Sequence, residues 1–218
     1  MIRVFLHAWG RDDLGSSILR EIVTNIIISG LYDDVDKIHV FISGSEEYAA
    51  AARILIERSG DKFNIEKYAP GDNSFERLTL CSIHEHVNED DKVLYLHTKG
   101  ASRGMEPTIV DWRLYMSYYC IRHYKKCIEL LDKYDTVGSL YRAQPWPHWS
   151  GAYYWVTGKH MLKLPKHISD DYYAPEREYP FGTYPPPTYY EMGSWESPPP
   201  CHSCHPKPPR MWVDKKME

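Results

Sequence analysis

The chain has 218 residues, enough for one sizeable hydrophobic core and short for two. A 43% hydrophobic and 26% charged composition is ordinary for a globular protein, and a formal net charge of −4 argues against a general nucleic-acid binder, which is usually basic. No apolar run approaches the roughly 18–20 residues of a helical membrane span, so none is expected. A strand beginning at Ile2 leaves no room for a signal peptide. The five cysteines (Cys81, Cys120, Cys127, Cys201 and Cys204) are odd in number and three fall in predicted helices. This reads as a reducing, cytoplasmic compartment without a disulfide framework.

Along the chain, Ile2–His7 is strand-like. Ile18, Leu19, Ile22, Val23, Ile26 and Ile27 then recur at helical spacing, with Gly30 placed to end the helix. Ile38–Ile42 is a second strand, turned by Ser43-Gly44-Ser45 into a helix over roughly 46–58. Residues 63–68 predict a third strand, and the breaker Pro70-Gly71-Asp72-Asn73-Ser74 predicts a helix over roughly 75–87. Val93–Leu96 is a fourth strand. A long helix follows Pro107, with Trp112, Met116, Tyr119, Cys120, Cys127 and Leu131 on its apolar face, and residues 135–139 give a fifth strand. Strand alternating with helix predicts a single α/β domain, with a mostly parallel sheet covered on both faces. After residue 140 the character changes: twelve of the 16 prolines lie between Pro165 and Pro209, and six tyrosines between Tyr172 and Tyr190. Proline lacks the donor that regular elements need, so this third is expected to wrap the domain as ordered loop, with a hairpin around 149–155. A disordered linker to a further domain is the alternative for the Pro-rich stretch.

The most informative stretch is Lys92–Gly104. The apolar run Val93–Leu96 stops at His97-Thr98-Lys99 and continues into a loop with Gly100, Ser102, Arg103 and Gly104. A buried strand ending in cationic and hydroxyl groups presents them at a sheet's carboxyl edge, where ligands of open α/β sheets bind. Cations beside glycine-rich backbone suit a phosphate; a solvated loop is the plain alternative. His7, Trp9 and Arg11 after the first strand, Ser43 and Ser45 after the second, Tyr68 in the third and Arg77 beyond it would surround the same edge. Each also reads as an ordinary turn or surface residue.

The pattern Val93-Leu-Tyr-Leu-His-Thr-Lys-Gly100, Asp111-Trp112-Arg113 with Met116 and Tyr119, Asp135-Thr-Val-Gly138 and Pro147-His-Trp-Ser-Gly-Ala-Tyr-Tyr-Trp155 resembles a group of GT-A-type glycosyltransferases. Within that group it most resembles the small glycosyltransferase domain that large chlorella viruses encode to build capsid-protein glycans. The resemblance spans roughly residues 2–180. It implies a GT-A-like domain over 1–195, with a nucleotide-sugar half (1–105), an acceptor half (106–195) and a tail (196–218) that closes on the site or links to a further domain. It implies a hexosyltransferase using an NDP-sugar, UDP-linked, with Mn²⁺ or Mg²⁺ at the diphosphate, acting on a glycan or glycoprotein acceptor, in the host cytoplasm if viral. His7, Trp9, Arg11, Ser43, Tyr68, Arg77, His97, Thr98 and Lys99 would bind the donor, and Trp149, Ser150, Gly151 and Trp155 would face the transferred sugar and acceptor.

The sequence departs from the family where Asp-x-Asp usually ends the fourth strand: it has His97-Thr98-Lys99. The metal shell would then need His97 and a late histidine, His205 or His202, with Lys99 also neutralising the diphosphate and Lys207 near the phosphates. Asp34-Val35-Asp36 precedes a strand and is read as a decoy, and Glu89-Asp90-Asp91 as a solvated turn. Inverting transfer needs a carboxylate base. The candidates are Asp170, Asp171, Glu176 and Glu178; the resemblance implies an acidic residue at about the separation of Glu176 from the Trp-Ser-Gly segment, which makes Glu176 the preferred base, and an exposed loop glutamate is the plain alternative. Cys201-His-Ser-Cys-His205 fits a haem-attachment pattern but lacks an export signal, and its ligands are too crowded to surround one zinc ion. His84-Glu85-His86 reads as a solvated helix face. No Gly-x-Gly-x-x-Gly follows the first strand, against a dinucleotide-dependent oxidoreductase. A non-catalytic nucleotide- or sugar-binding module of a longer protein is the remaining alternative.

Overall fold

The computed structural model describes residues 1–104, 106–183 and 185–193. In chain order the strands are β1 (Ile2–Gly10), β2 (Lys37–Gly44), β3 (Phe63–Pro70), β4 (Lys92–His97), β5 (Thr136–Ser139), β6 (Tyr141–Arg142), β7 (His148–Trp149), β8 (Tyr154–Thr157) and β9 (Tyr189–Met192). The helices are α1 (Asp13–Ile28), α2 (Leu31–Asp34), α3 (Glu46–Glu57), α4 (Arg77–Leu80), α5 (Pro107–Ser117), α6 (Tyr124–Leu130), α7 (Gly158–Met161) and α8 (Ala174–Glu178). Among the described residues, seven strands form one sheet in the order β3-β2-β1-β4-β8-β5-β9, and β6 pairs with β7 apart from it. β3, β2, β1 and β4 are mutually parallel, as the alternation of strand and helix predicts. β8 runs antiparallel between β4 and β5 and joins the two halves of the chain through one sheet.

Period-two alternation sends Val4, Leu6 and Ala8 of β1 to one face, against Ile18, Leu19, Ile22 and Ile26 of α1 and Ala49, Ala52 and Ile56 of α3. Asp12 caps α1 by accepting from Leu14 N, and Ser45 caps α3 by accepting from Tyr48 N. Phe5, Phe41, Val93 and Tyr95 point to the other face, under Leu80, Ile83, Val87 and, from the late chain, Met161, Leu164, Ile168 and Phe181. Among the described residues, the proline- and tyrosine-rich segment therefore supplies core, as a wrapping loop in which α8 and β9 are set.

Three expected elements differ, the first being the long helix after Pro107, which a π-helical stretch at Tyr118–Arg122 divides into α5 and α6. Residues 75–87 form only α4 and a 3₁₀ turn at Ile83–Glu85. Ser82 Oγ donates to Leu78 O and accepts from Lys67 Nζ, and such side chain-to-backbone bonds compete with helix continuation. The hairpin around 149–155 is absent: Trp149 pairs with Tyr141, the chain turns at Gly151 (φ 91°) and Ala152 (φ 56°), and β8 then enters the main sheet. Asp34 and Asp36 are structural, accepting from Tyr124 Oη and Ile2 N. Asp91 is not a solvated residue: it is 2% exposed and accepts from Arg3 Nε at 2.7 Å.

Candidate functional site

β1 and β4 lie side by side with His7 opposite His97, so their carboxyl ends open onto one cleft. His7, Trp9, Glu76, Arg77, the 97–103 loop, Trp112, Tyr172, Tyr173 and Glu176 line it. The expected donor residues His7, Trp9, Arg77, His97, Thr98 and Lys99 and the expected base Glu176 are thus brought together from four regions of the chain.

Lys99 is the centre of this cluster. Its Nζ sits 4.5 Å from the centroid of the Trp112 ring and 3.8 Å from Glu176 Oε1. The loop that carries it is held from behind. Gly100 has φ 94°, and a Cβ there would stand 2.7 Å from Ile109 Cγ2, so a side chain would meet both strain and a clash. Arg113, 2% exposed, donates to the Lys99 carbonyl at 3.2 Å and forms a two-pronged pair with Glu21 of α1, each contact 2.9 Å. Trp112 Nε1 donates to Ser150 O at 3.3 Å, and Gly151 lies so close to Met116 that a Cβ would come within 2.4 Å of its sulfur.

The Trp149–Trp155 segment consequently sits behind the cleft. Trp149 and Trp155, expected on the acceptor side, are core residues 1% and 0% exposed. Their indole N–H groups are spent internally, Trp149 on Thr136 Oγ1 and Trp155 on Cys120 O. Ser150 and Gly151 buttress Trp112 and do not line the cleft.

Other expected donor residues also lie elsewhere. Tyr48 packs against Gly10 and Gly15 and closes the end of β2: a Cβ on Gly10 would meet its ring at 2.7 Å. Ser43 is fully buried, and Ser45 is spent as a helix cap. Tyr68 is exposed beside Arg53, and Arg11 is exposed with its guanidinium 5.4 Å from the Trp9 centroid, outside the lining. The Thr98 hydroxyl is spent in latching β4 to β1, exchanging bonds with Trp9 N and O. Arg77 lines the cleft, yet Nε donates to Ser169 O at 2.8 Å and Nη2 to Asp171 O, so it ties down the segment leading to Glu176. His202, His205 and Lys207 lie outside the described residues.

Burial sets the protonation states. Desolvation pushes the His7 imidazole down to about 3 despite Asp72, and its Nδ1 pairs with Thr79 Oγ1 at 2.9 Å. Desolvation, with Lys99 and His7 adding to it, also holds His97 well below the usual range. His97 Nδ1 is buried without a hydrogen-bond partner, 3.4 Å from Glu76 Oε1. Burial pushes the Glu76 carboxyl up, with Glu176 adding and Lys99 opposing. Glu76 was not anticipated from the sequence: its strand-distant position carries no motif, and only folding sets it against His97. Tyr172 and Tyr173, 64% and 52% exposed, add two aromatic rims, foreshadowed only by the tyrosine enrichment of that stretch.

The family described as "Domain of unknown function (DUF8361)" matches residues 10–159, and the chain belongs to it. No curated protein matches the chain. Among solved structures, it is similar to Rv0371c of Mycobacterium tuberculosis H37Rv in complex with manganese, at 11% identity and TM-score 0.40 over 75% of each chain. A second structure of Rv0371c overlaps at 10% identity and TM-score 0.37, over 75% of this chain and 76% of that one.

Proposed function

We propose that this member of the DUF8361 family is a glycosyltransferase with a GT-A-like fold, moving a sugar from a UDP-sugar held in the β1/β4 cleft to a glycan acceptor. One observation carries the reading: the strand-end Lys99, beside an unpaired buried imidazole nitrogen and within 3.8 Å of a carboxylate, stands in an aromatic-rimmed cleft. That set answers the needs of the reaction. Lys99 and the exposed Arg103 stabilise the departing diphosphate. As the bond from the anomeric carbon to phosphate oxygen breaks, the acceptor oxygen bonds to that carbon and, in an inverting transfer, Glu176 takes the hydroxyl proton. Lys99 moving onto phosphate frees Glu176 for that step. The aromatic faces of Trp9, Tyr172 and Tyr173 offer stacking surface for base or sugar.

The donor set also fits a divalent ion. His97 Nδ1 and the Glu76 carboxylate would hold it, and mixed nitrogen and oxygen ligands suit Mn²⁺ better than Mg²⁺. When bound, the ion would neutralise developing charge on the diphosphate. The choice of acceptor, a glycan of the capsid-protein type, rests on the sequence resemblance.

Titration of UDP, GDP, CDP and TDP with and without Mn²⁺, following thermal stability, tests the reading. UDP should raise the midpoint most, and more with Mn²⁺ than with chelator. No stabilisation by any nucleotide overturns it. Donor affinity with neither transfer nor donor hydrolysis would assign a binding module instead.

A further inference from the structure

On the same sheet face as the cleft, toward the amino ends of the strands, His39 of β2, Glu66 of β3 and His86 after the 3₁₀ turn converge. One ligand atom from each lies within 4.8 Å of the others. None of the three lines the cleft. The His-Glu-His segment expected as a solvated helix face is therefore half-buried at His86 and packed against β2: the His39 and His86 ring centroids are 4.7 Å apart.

We infer that His39, Glu66 and His86 form a second, separate divalent-cation site of the zinc type. Two imidazoles and one carboxylate, with a fourth position left to water, is a ligand set that Zn²⁺ takes. Three features make this more than a chance polar cluster. Register along β2 and β3 runs from Val40–Ile65 to Phe41–Lys67, leaving Glu66 as the extra residue of a bulge; such an insertion re-aims a side chain. The His39 ring is stacked on Phe5 at 4.6 Å and 7°, so its plane is fixed, with Nδ1 turned toward Glu66 Oε1 at 2.9 Å. Finally, His86 Nε2 stands 4.0 Å from Glu66 Oε2. That is too long for a hydrogen bond, and only a small side-chain movement from the roughly 3.4 Å that separates two ligands each about 2.0–2.1 Å from one tetrahedral ion.

The surrounding charges allow the ion in. Desolvation pushes His39 down to about 4, with Glu66 opposing, so the imidazole is neutral and able to ligate at pH 7. Burial works against the Glu66 carboxylate, yet bonds from Lys37 and His39 hold it below its ordinary range, and it stays ionised. Lys37 contacts Glu66 Oε1 at 2.8 Å but is 36% exposed, free to swing into solvent when an ion takes its place. Glu66 and His86, 18% and 23% exposed, leave an entry path. The ion would cross-link β2, β3 and the loop before β4.

The test uses the full chain carrying Cys201→Ser, His202→Ala, Cys204→Ser and His205→Ala, so that the tail offers neither thiol nor imidazole. After chelator treatment and in the absence of nucleotide, which the His97 and Glu76 pair needs to complete a shell, calorimetry with Zn²⁺ should find one ion per chain, and X-ray absorption should find a nitrogen and oxygen shell containing two imidazoles. Glu66→Gln and His86→Ala should each weaken binding at least about tenfold, since losing even a supporting partner of a metal ligand typically costs 10–100-fold. Circular dichroism checks the fold, and the near-isosteric Glu66→Gln decides if His86→Ala misfolds. No Zn²⁺ binding by the parent, or undiminished binding by Glu66→Gln, overturns the site.

Discussion

Lys99 and Glu176 form the cleft's central ion pair, and each makes a separable prediction. Lys99→Ala should weaken UDP binding by about 1.5–3 kcal/mol, the range for a hydrogen bond to a charged group, while leaving the denaturation midpoint near that of the parent. Calorimetry with UDP checks this, and unchanged affinity would show that Lys99 contacts only Trp112 and Glu176. Glu176→Gln should keep UDP affinity and lower the transfer rate by about 10²–10⁴-fold, as expected for a general base. Glu76 behaves differently because burial raises its pKa. A carboxyl with a raised folded-state pKa contributes stability below its unfolded value of 4.5, and that contribution is lost as pH rises through the folded value. Glu76→Gln in chelator should therefore raise the thermal midpoint at pH 8 and leave it unmoved at pH 4. The expected rise is about 2–4 °C for each kcal/mol relieved in a chain of this size. The same variant should lose the Mn²⁺-dependent part of UDP binding, which is the functional reason to keep a strained carboxylate.

At the scale of elements, the cleft is shaped by what stands behind it. The loop after β4 rests on Arg113, whose pairing with Glu21 bridges α5 and α1, while Trp112 rests on Ser150 and Gly151. The separate motifs Asp111-Trp112-Arg113 and Trp149-Ser150-Gly151 are thus parts of one packed support for Lys99. Arg113→Met should destabilise the fold by ~3 kcal/mol, the lower end of the range for removing one partner of a buried pair, because Glu21 keeps partial access to water. Urea denaturation would measure it; a loss below about 0.5 kcal/mol would mean the pair is only a surface contact.

For the whole molecule, the second sheet face is notable for buried neutral histidines. Desolvation pushes His7 down to about 3 and His39 down to about 4, and it also lowers His160 and His97. A histidine with a lowered folded-state pKa contributes stability above its unfolded value of 6.5, lost as pH falls toward the folded value. In metal-free buffer, stability should drop by about 1.4 kcal/mol per pH unit for each of His7 and His39 between about 6.5 and 4. Urea midpoints taken across that window would show the slope, and a flat profile would refute it. Among the described residues no helix is long and apolar enough to cross a membrane.

Local pattern was enough for the four strands of the parallel half, though not for their order, because period-two strands and 3.6-period helices with their caps are written in neighbouring residues. It was enough, too, to pick out His97–Lys99, since a strand's carboxyl end is a topological address that a parallel sheet converts into a place. Where β8 inserts was not legible: Trp149 and Trp155 are both core, and only the pairing of one with nearby β6 and of the other with distant β4 takes both rings out of the cleft. Nor was Glu76, which has meaning only 3.4 Å from a histidine twenty-one positions away. The cluster of His39, Glu66 and His86 depends on a bulge and a crossing loop, contacts that span nearly fifty residues. Sequence neighbours determined the elements and one strand-end motif; long-range packing decided which polar groups lost water together, and that loss is what sets their chemistry.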